Sequence, residues 1–192
     1  MLFLRYTALL AAVSMLASEA RAFADDSRFR LGPFALFADE VSFLSVGAGA
    51  FDVAREQKAL SAGTLAAGDL QLRFGRKLLY CGPLFGILAN HRGGLFGYGG
   101  AYFDVGLGSA NRWHFSPLLT AGGYRQGQSK FLGGRFAFQL GGNLSMELPS
   151  GSRVGLTVTH ISNAFIYYQN PGAESVLLTY AVPLTWRVGL PR

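Results

Sequence analysis

The stretch Arg135-Phe-Ala-Phe-Gln-Leu-Gly-Gly-Asn-Leu-Ser-Met-Glu-Leu148 alternates with a period of two. Phe136, Phe138, Leu140, Leu144, Met146 and Leu148 fall on one face, and Arg135, Gln139, Asn143, Ser145 and Glu147 on the other. Successive side chains of an extended chain point to opposite sides, so this is a strand with one apolar and one polar face. The rhythm recurs at Leu70, Leu72 and Phe74 against Asp69, Gln71 and Arg73. It recurs again at Val154, Leu156 and Val158 against Gly155, Thr157 and Thr159. Strands of about ten residues with one apolar face, separated by turn residues, suit a sheet whose outside meets lipid.

Eight such segments are predicted, at 43–54, 67–76, 78–90, 93–108, 111–125, 133–148, 152–163 and 174–187. An even number of antiparallel strands closes a cylinder with no free edge, which lipid demands because it cannot hydrate unpaired N–H and C=O groups. The predicted fold is an all-β, eight-stranded antiparallel transmembrane barrel. Eight strands leave room inside for side chains alone, so a filled lumen is expected. Gly97, Gly99, Gly100, Gly122, Gly123, Gly141 and Gly142 suit strands that curve sharply in a narrow barrel. Tyr80, Tyr98, Tyr102, Trp113, Tyr167, Tyr168 and Trp186 lie near predicted strand ends and are expected in aromatic girdles.

Composition agrees. Half the residues are hydrophobic and 15% are charged. Yet no run after the first residues is long and apolar enough for a spanning helix. Met1 to Ala24 carries Arg5, an apolar run from Tyr6 to Ala17, and small residues at Ala20-Arg-Ala22 or Ala22-Phe-Ala24. That is the pattern of a cleaved export signal, so 1–24 is read as a signal peptide and 25–192 as one barrel domain. Losing Arg5, Arg21 and Glu19 lowers the formal charge from +6 to +5. A basic balance suits an anionic partner, and export favours lipid phosphate over nucleic acid.

Other classes fall away. One cysteine, Cys81, excludes an internal disulfide framework. His91 and His114 have no Cys or carboxylate neighbours at metal-ligand spacing, so no metal or other cofactor is expected. No helical pattern follows Gly97-x-Gly99-Gly100, which removes a nucleotide loop, and the absence of Gly-x-Ser-x-Gly removes an α/β-hydrolase.

The connections are of two kinds. Those at 75–77, 108–111 and 149–152 are tight, whereas 55–66, 126–132 and 164–173 are longer, with a short link at 90–93 on the same side. Barrels of this type turn tightly on the periplasmic side and carry longer loops outside. The seventh strand therefore ends near the cell surface, at His160 and Ser162, and the eighth starts there with Glu174. All three share the lipid-facing side of one hairpin (about 152–187) with Val154, Leu156, Val158, Val176, Leu178 and Tyr180. An acid, a base and a nucleophile on an apolar wall would meet the outer leaflet, which is lipopolysaccharide in Gram-negative bacteria.

The segment Gly155-Leu-Thr-Val-Thr-His-Ile-Ser-Asn-Ala164, with Gln169-Asn-Pro-Gly-Ala-Glu174 and Leu177-Leu-Thr-Tyr180, resembles the lipid A 3-O-deacylases, a family of acyloxyacyl-hydrolase-like outer-membrane barrels. The similarity runs more loosely from Phe43-Leu-Ser-Val-Gly-Ala-Gly-Ala-Phe-Asp52 over most of the remaining chain. The resemblance implies hydrolysis of the ester at the 3-position of lipid A's glucosamine, with release of a hydroxy fatty acid. It implies Ser162 as nucleophile, His160 as general base and Glu174 as the group that orients the imidazole. A serine needs such a base, and the base needs such a partner. It further implies Asn170 and Asn163 as hydrogen-bond donors to the oxyanion. Phe165 stands where relatives often carry Gly. Arg55, Lys58, Arg92, Arg125 and Lys130, in or beside the outer loops, are expected to pair with lipid A phosphates. Two other readings use the same residues: a non-catalytic structural or adhesive barrel, and a barrel phospholipase or acyltransferase.

Overall fold

The computed structural model describes residues 28–54, 60–108 and 112–184. The export-signal reading of 1–24, the loop cations Arg55 and Lys58, and Trp186 lie outside the described residues. Among the described residues, eleven strands form one sheet: β1 (Arg28–Leu31), β2 (Phe34–Phe37), β3 (Phe43–Phe51), β4 (Leu65–Arg73), β5 (Gly82–Asn90), β6 (Leu95–Tyr102), β7 (Val105–Leu107), β8 (Trp113–Arg125), β9 (Phe136–Glu147), β10 (Arg153–Ser162) and β11 (Ala173–Pro183). Eight of them, β3 to β6 and β8 to β11, pair antiparallel in turn. The ring closes where β11 returns to β3, with Ser175 opposite Phe51 and Pro183 opposite Phe43.

The barrel is the predicted one, with two local differences. Leu78 and Cys81 exchange backbone hydrogen bonds of 2.9 Å, so the third segment begins with a tight turn and its strand starts only at Gly82. The fourth segment is divided at Phe103–Asp104 into β6 and β7, where Pro117, with no N–H to return the bond it accepts from Phe103, stands opposite in the unchanged register of β8. Asp104 keeps to the inward face and meets Arg153 at 2.5 Å. The sequence reading assigned no element to residues 28–37, which form the β1–β2 hairpin and extend the sheet through β2 against β7.

Alternation settles which side is which. Leu140 is 62% exposed while its neighbour Gln139 is 4% exposed, and Leu156, Val158 and Leu178 also stand outside. In water such a surface would be an association site; facing acyl chains it is what every spanning strand needs. Inward, polar side chains satisfy one another. Thr120 donates to Gln139, and Gln139 to Thr159, at 3.0 and 3.2 Å. Asn143 donates to both Thr157 and Thr179. At the end with the tight turns, Arg153 and Lys77 meet Glu40 and Asp104, and His114 lies inside beside Glu147. At the loop end the lumen is filled mainly by apolar side chains, Phe51, Leu65, Leu88, Phe96, Leu132 and Ile161.

Tyr98 and Tyr102 are not girdle residues. They are 6% and 1% exposed and point into the lumen, where Tyr98 donates to Asp69 and Tyr102 to the Phe74 carbonyl. Trp113, at the start of β8, and Tyr168, in the loop between β10 and β11, are exposed. Close strand approach explains Gly122 and Gly141: a Cβ would lie 2.0 Å from Gly97 O in the first case and 2.2 Å from Val158 O in the second.

Candidate active site

In the register between β10 and β11, His160 stands directly opposite Glu174. Both belong to the outward set, so the pair sits on the lipid-facing wall at the loop end. His160 Nδ1 and Glu174 Oε1 are 2.8 Å apart, with the side chains 45% and 20% exposed. A carboxylate oxygen offers only lone pairs, so Nδ1 carries the hydrogen and Nε2 is left as the basic nitrogen. The backbone of Glu174 is itself held, its carbonyl accepting from the Val53 N–H.

Ser162 lies two residues beyond His160 on the same face, half-buried and opposite Phe138 of β9. Two residues of strand span about 6.6 Å, so hydroxyl and imidazole are neighbours across one pleat. The ring's hydrogen bond goes to Glu174, and among the described residues none joins it to Ser162. Such bonds are often long in a site without substrate and tighten when it binds.

The chain leaving β10 then turns sharply. Ile166 N–H donates to Asn163 O at 3.0 Å, and Ala164 and Phe165 take φ of 51° and 61°. Two left-handed residues in succession make a primed turn, a place where Gly is strain-free and Phe is not. Phe165 holds that conformation and is 80% exposed.

Asn163 is not available to an oxyanion. It is fully buried, and its Nδ2 donates to Leu132 O at 2.7 Å and to Gln169 O at 2.6 Å. Its backbone N–H donates to Asn170 Oδ1 at 2.8 Å. It braces the loop instead. Asn170, half-buried, uses its oxygen in that brace, which leaves its NH2 group as the side chain's donor.

Several supporting residues escaped the sequence reading. Gly133 has φ +85°, and a Cβ there would lie 1.9 Å from Gln169 O. At Gly134 a Cβ would meet the Tyr167 ring at 2.1 Å, and the Tyr167 hydroxyl accepts from the Phe136 N–H. The glycine pair is thus the seat on which the 163–172 loop rests. Two adjacent glycines just before a long strand were the available signal.

The loop cations divide. Lys130, expected to face lipid phosphates, is wholly buried and ion-paired to Asp52 at 2.8 Å. A buried ammonium without a partner is too costly, and Asp52 meets that need at the barrel mouth. Arg92 is exposed in the tight turn between β5 and β6. Arg125 and Arg135 are exposed and line an open cavity of about 600 Å3 with Tyr124 and Phe131. Among the described residues, no three His, Cys, Asp or Glu side chains converge as a metal site would require.

A comparison with curated protein sequences finds no match. Among solved structures, the chain is similar to the crystal structure of the outer membrane enzyme PagL, at 16% identity and a TM-score of 0.59, over 74% of this chain and 99% of that one. It also matches the backbone structure of the Yersinia pestis outer membrane protein Ail in a phospholipid bilayer nanodisc, at 13% identity and a TM-score of 0.40, over 74% of this chain and 100% of that one. The family model described as Lipid A 3-O-deacylase (PagL) matches residues 54–183, well over half the chain, including His160, Ser162, Asn163, Asn170 and Glu174. The chain belongs to the lipid A 3-O-deacylase family.

Proposed function

We propose that this protein is an outer-membrane serine esterase that removes the 3-O-linked hydroxyacyl chain of lipid A in lipopolysaccharide. The observation that carries the reading is the His160–Glu174 hydrogen bond of 2.8 Å on the lipid-facing wall, one pleat from Ser162. In water a polar trio on an apolar face has no use; beside an acyl ester it is next to its substrate. The loop end, in this reading, faces the outer leaflet.

The steps follow from the atoms present. Ser162 Oγ attacks the ester carbonyl carbon while its proton passes to His160 Nε2. Glu174 holds the ring in the productive tautomer and stabilises the imidazolium. The negative charge on the former carbonyl oxygen is met by the Asn170 NH2 group; one such donor is worth about 10²–10³ in rate. His160 then gives its proton to the sugar's 3-oxygen as the C–O bond breaks. A water, deprotonated by His160, attacks the acyl-Ser162 carbonyl. As the C–Oγ bond breaks, His160 returns the proton to Ser162 Oγ, freeing the hydroxy fatty acid and restoring the site. Arg92 and Arg125, exposed at the loop end, pair with the lipid A phosphates.

Mass spectrometry of lipid A from a Gram-negative outer membrane carrying the protein tests this. Wild type removes one hydroxyacyl mass and Ser162→Ala retains it. An unchanged profile with correctly folded wild type would instead support a structural or adhesive barrel, and loss of acyl chains from glycerophospholipids a phospholipase.

A further inference from the structure

Gly172 lies against the imidazole of His160. A Cβ built on it would sit 2.6 Å from Cε1, 3.2 Å from Nε2 and 3.6 Å from Nδ1. The first distance is one that real Cβ atoms do not reach, so either ring or loop would have to move. Neither is free to. The ring is tied through Nδ1 to Glu174 at 2.8 Å. The loop is pinned on both sides of Gly172: Asn170 accepts from the Asn163 N–H, and fully buried Ala173 pairs with Ile161. Gly172 also has φ +64°, a left-handed backbone that a side chain disfavours.

We propose, building on the esterase reading above, that Gly172 is a positioning residue whose bare backbone forms the shelf holding the His160 ring with Nε2 open towards Ser162. Glu174 decides which nitrogen is basic; Gly172 decides where that nitrogen sits. A methyl group here would do two things at once. It would displace the ring from the nucleophile, and it would crowd Nε2, the atom that takes the serine proton.

The test compares variants of the full barrel in detergent micelles with lipid A as substrate. Gly172→Ala lowers kcat about 100-fold, the usual consequence of an ångström-scale misplacement, and leaves KM within about twofold. Gly172→Asn falls equally, because Asn tolerates left-handed backbone but still carries a Cβ. Gly151→Ala is the control for backbone conformation alone. It lies in the turn at the far end of β10 with φ +79°, its nearest atom would be Pro183 Cγ at 3.7 Å, and it keeps wild-type kcat.

A second arm needs no substrate. The urea midpoint shift caused by Gly172→Ala is measured in wild type and in His160→Ala. If the ring is what the methyl meets, the shift shrinks once the ring is gone. Should Gly172→Ala alone fail to fold, refolding of the double variant supports the contact and its failure overturns it. Wild-type kcat in Gly172→Ala, or equal midpoint shifts in the two backgrounds, overturns the proposal. Coupled shifts in a barrel whose wild type has no esterase activity would instead end the esterase reading, and with it the catalytic role of the contact.

Discussion

Lys130 Nζ lies 2.8 Å from Asp52 Oδ1 with neither side chain exposed, so the loop after β8 is locked to the loop after β3 across the barrel mouth. Ser61 donates to the other Asp52 oxygen, and Tyr124 donates to the Lys130 carbonyl. Two residues further on, Leu132 O accepts from Asn163, and Gly133 seats Gln169. The ion pair inside the barrel is therefore continuous with the loop that carries Asn170 and Gly172 outside it.

Breaking that pair from one side leaves an uncompensated buried charge. Lys130→Met is expected to cost about 3–5 kcal/mol, and Lys130→Met with Asp52→Leu markedly less. Urea unfolding in micelles reads both. Equal losses from single and double variants would contradict a buried, paired charge.

The proposed catalytic set should behave as a unit. Ser162→Ala and His160→Asn each abolish deacylation, and the double variant is no worse than either alone, because neither residue retains its function without the other. Single-turnover rates on lipid A measure this. Partial losses that multiply would be inconsistent with one serine–imidazole pair.

Asn163→Ala removes two donors and strands the carbonyls of Leu132 and Gln169. Each buried group left unpaired costs about 1–3 kcal/mol, and here the cost falls on the loop, not on the barrel strands. Limited proteolysis is expected to cut within 163–172 much faster than in wild type, while the heat-modifiable gel mobility of the folded barrel is kept. Activity falls with the loop.

Arg92→Gln and Arg125→Gln are expected to raise KM for phosphorylated lipid A about tenfold, a loss of binding shared by ground and transition states that leaves kcat alone. The effect disappears with dephosphorylated lipid A. An unchanged KM would assign both arginines to solvent.

The turn end carries a pH signature of its own. Burial, followed by repulsion from Asp104, pushes the Glu40 carboxyl up to about 7. Burial works against Asp104 as well, but Arg153 and Lys77 outweigh it and hold that carboxyl well below the usual range. Glu40 therefore binds its proton more tightly when folded, so its contribution is present below about pH 4.5 and lost as pH rises to about 7. Asp104 contributes in the opposite sense, and its share is lost only in strong acid. Urea midpoints should fall between about pH 4.5 and 7 in wild type and run flatter in Glu40→Gln. Parallel slopes in the two proteins would remove Glu40 as the cause.

How much of this was legible from residues alone depends on how local the deciding physics is. Which way Leu140 and Gln139 point follows from a period of two, and a bilayer rewards only one assignment of the two faces. The same parity puts His160, Ser162 and Glu174 on one face, and the register sets His160 opposite Glu174. In Leu95-Phe-Gly-Tyr-Gly-Gly-Ala-Tyr102 the contrast between faces vanishes, since tyrosine suits a girdle or a lumen equally. Tyr98 and Tyr102 take the lumen, a choice that parity alone does not make.

Beyond the strand ends, alternation no longer applies, and a side chain's surroundings depend on where other loops run. Lys130 turns inward because Asp52, far away in sequence, is there to meet it. Asn163 becomes a brace because Leu132 and Gln169 present carbonyls to it, and Gly172 matters because an imidazole from the neighbouring strand lies against it. Periodicity along the chain thus specified the cylinder and the face that carries the proposed catalytic residues. The contacts that brace those residues arise between loops distant in sequence, and only folding brings them within reach of one another.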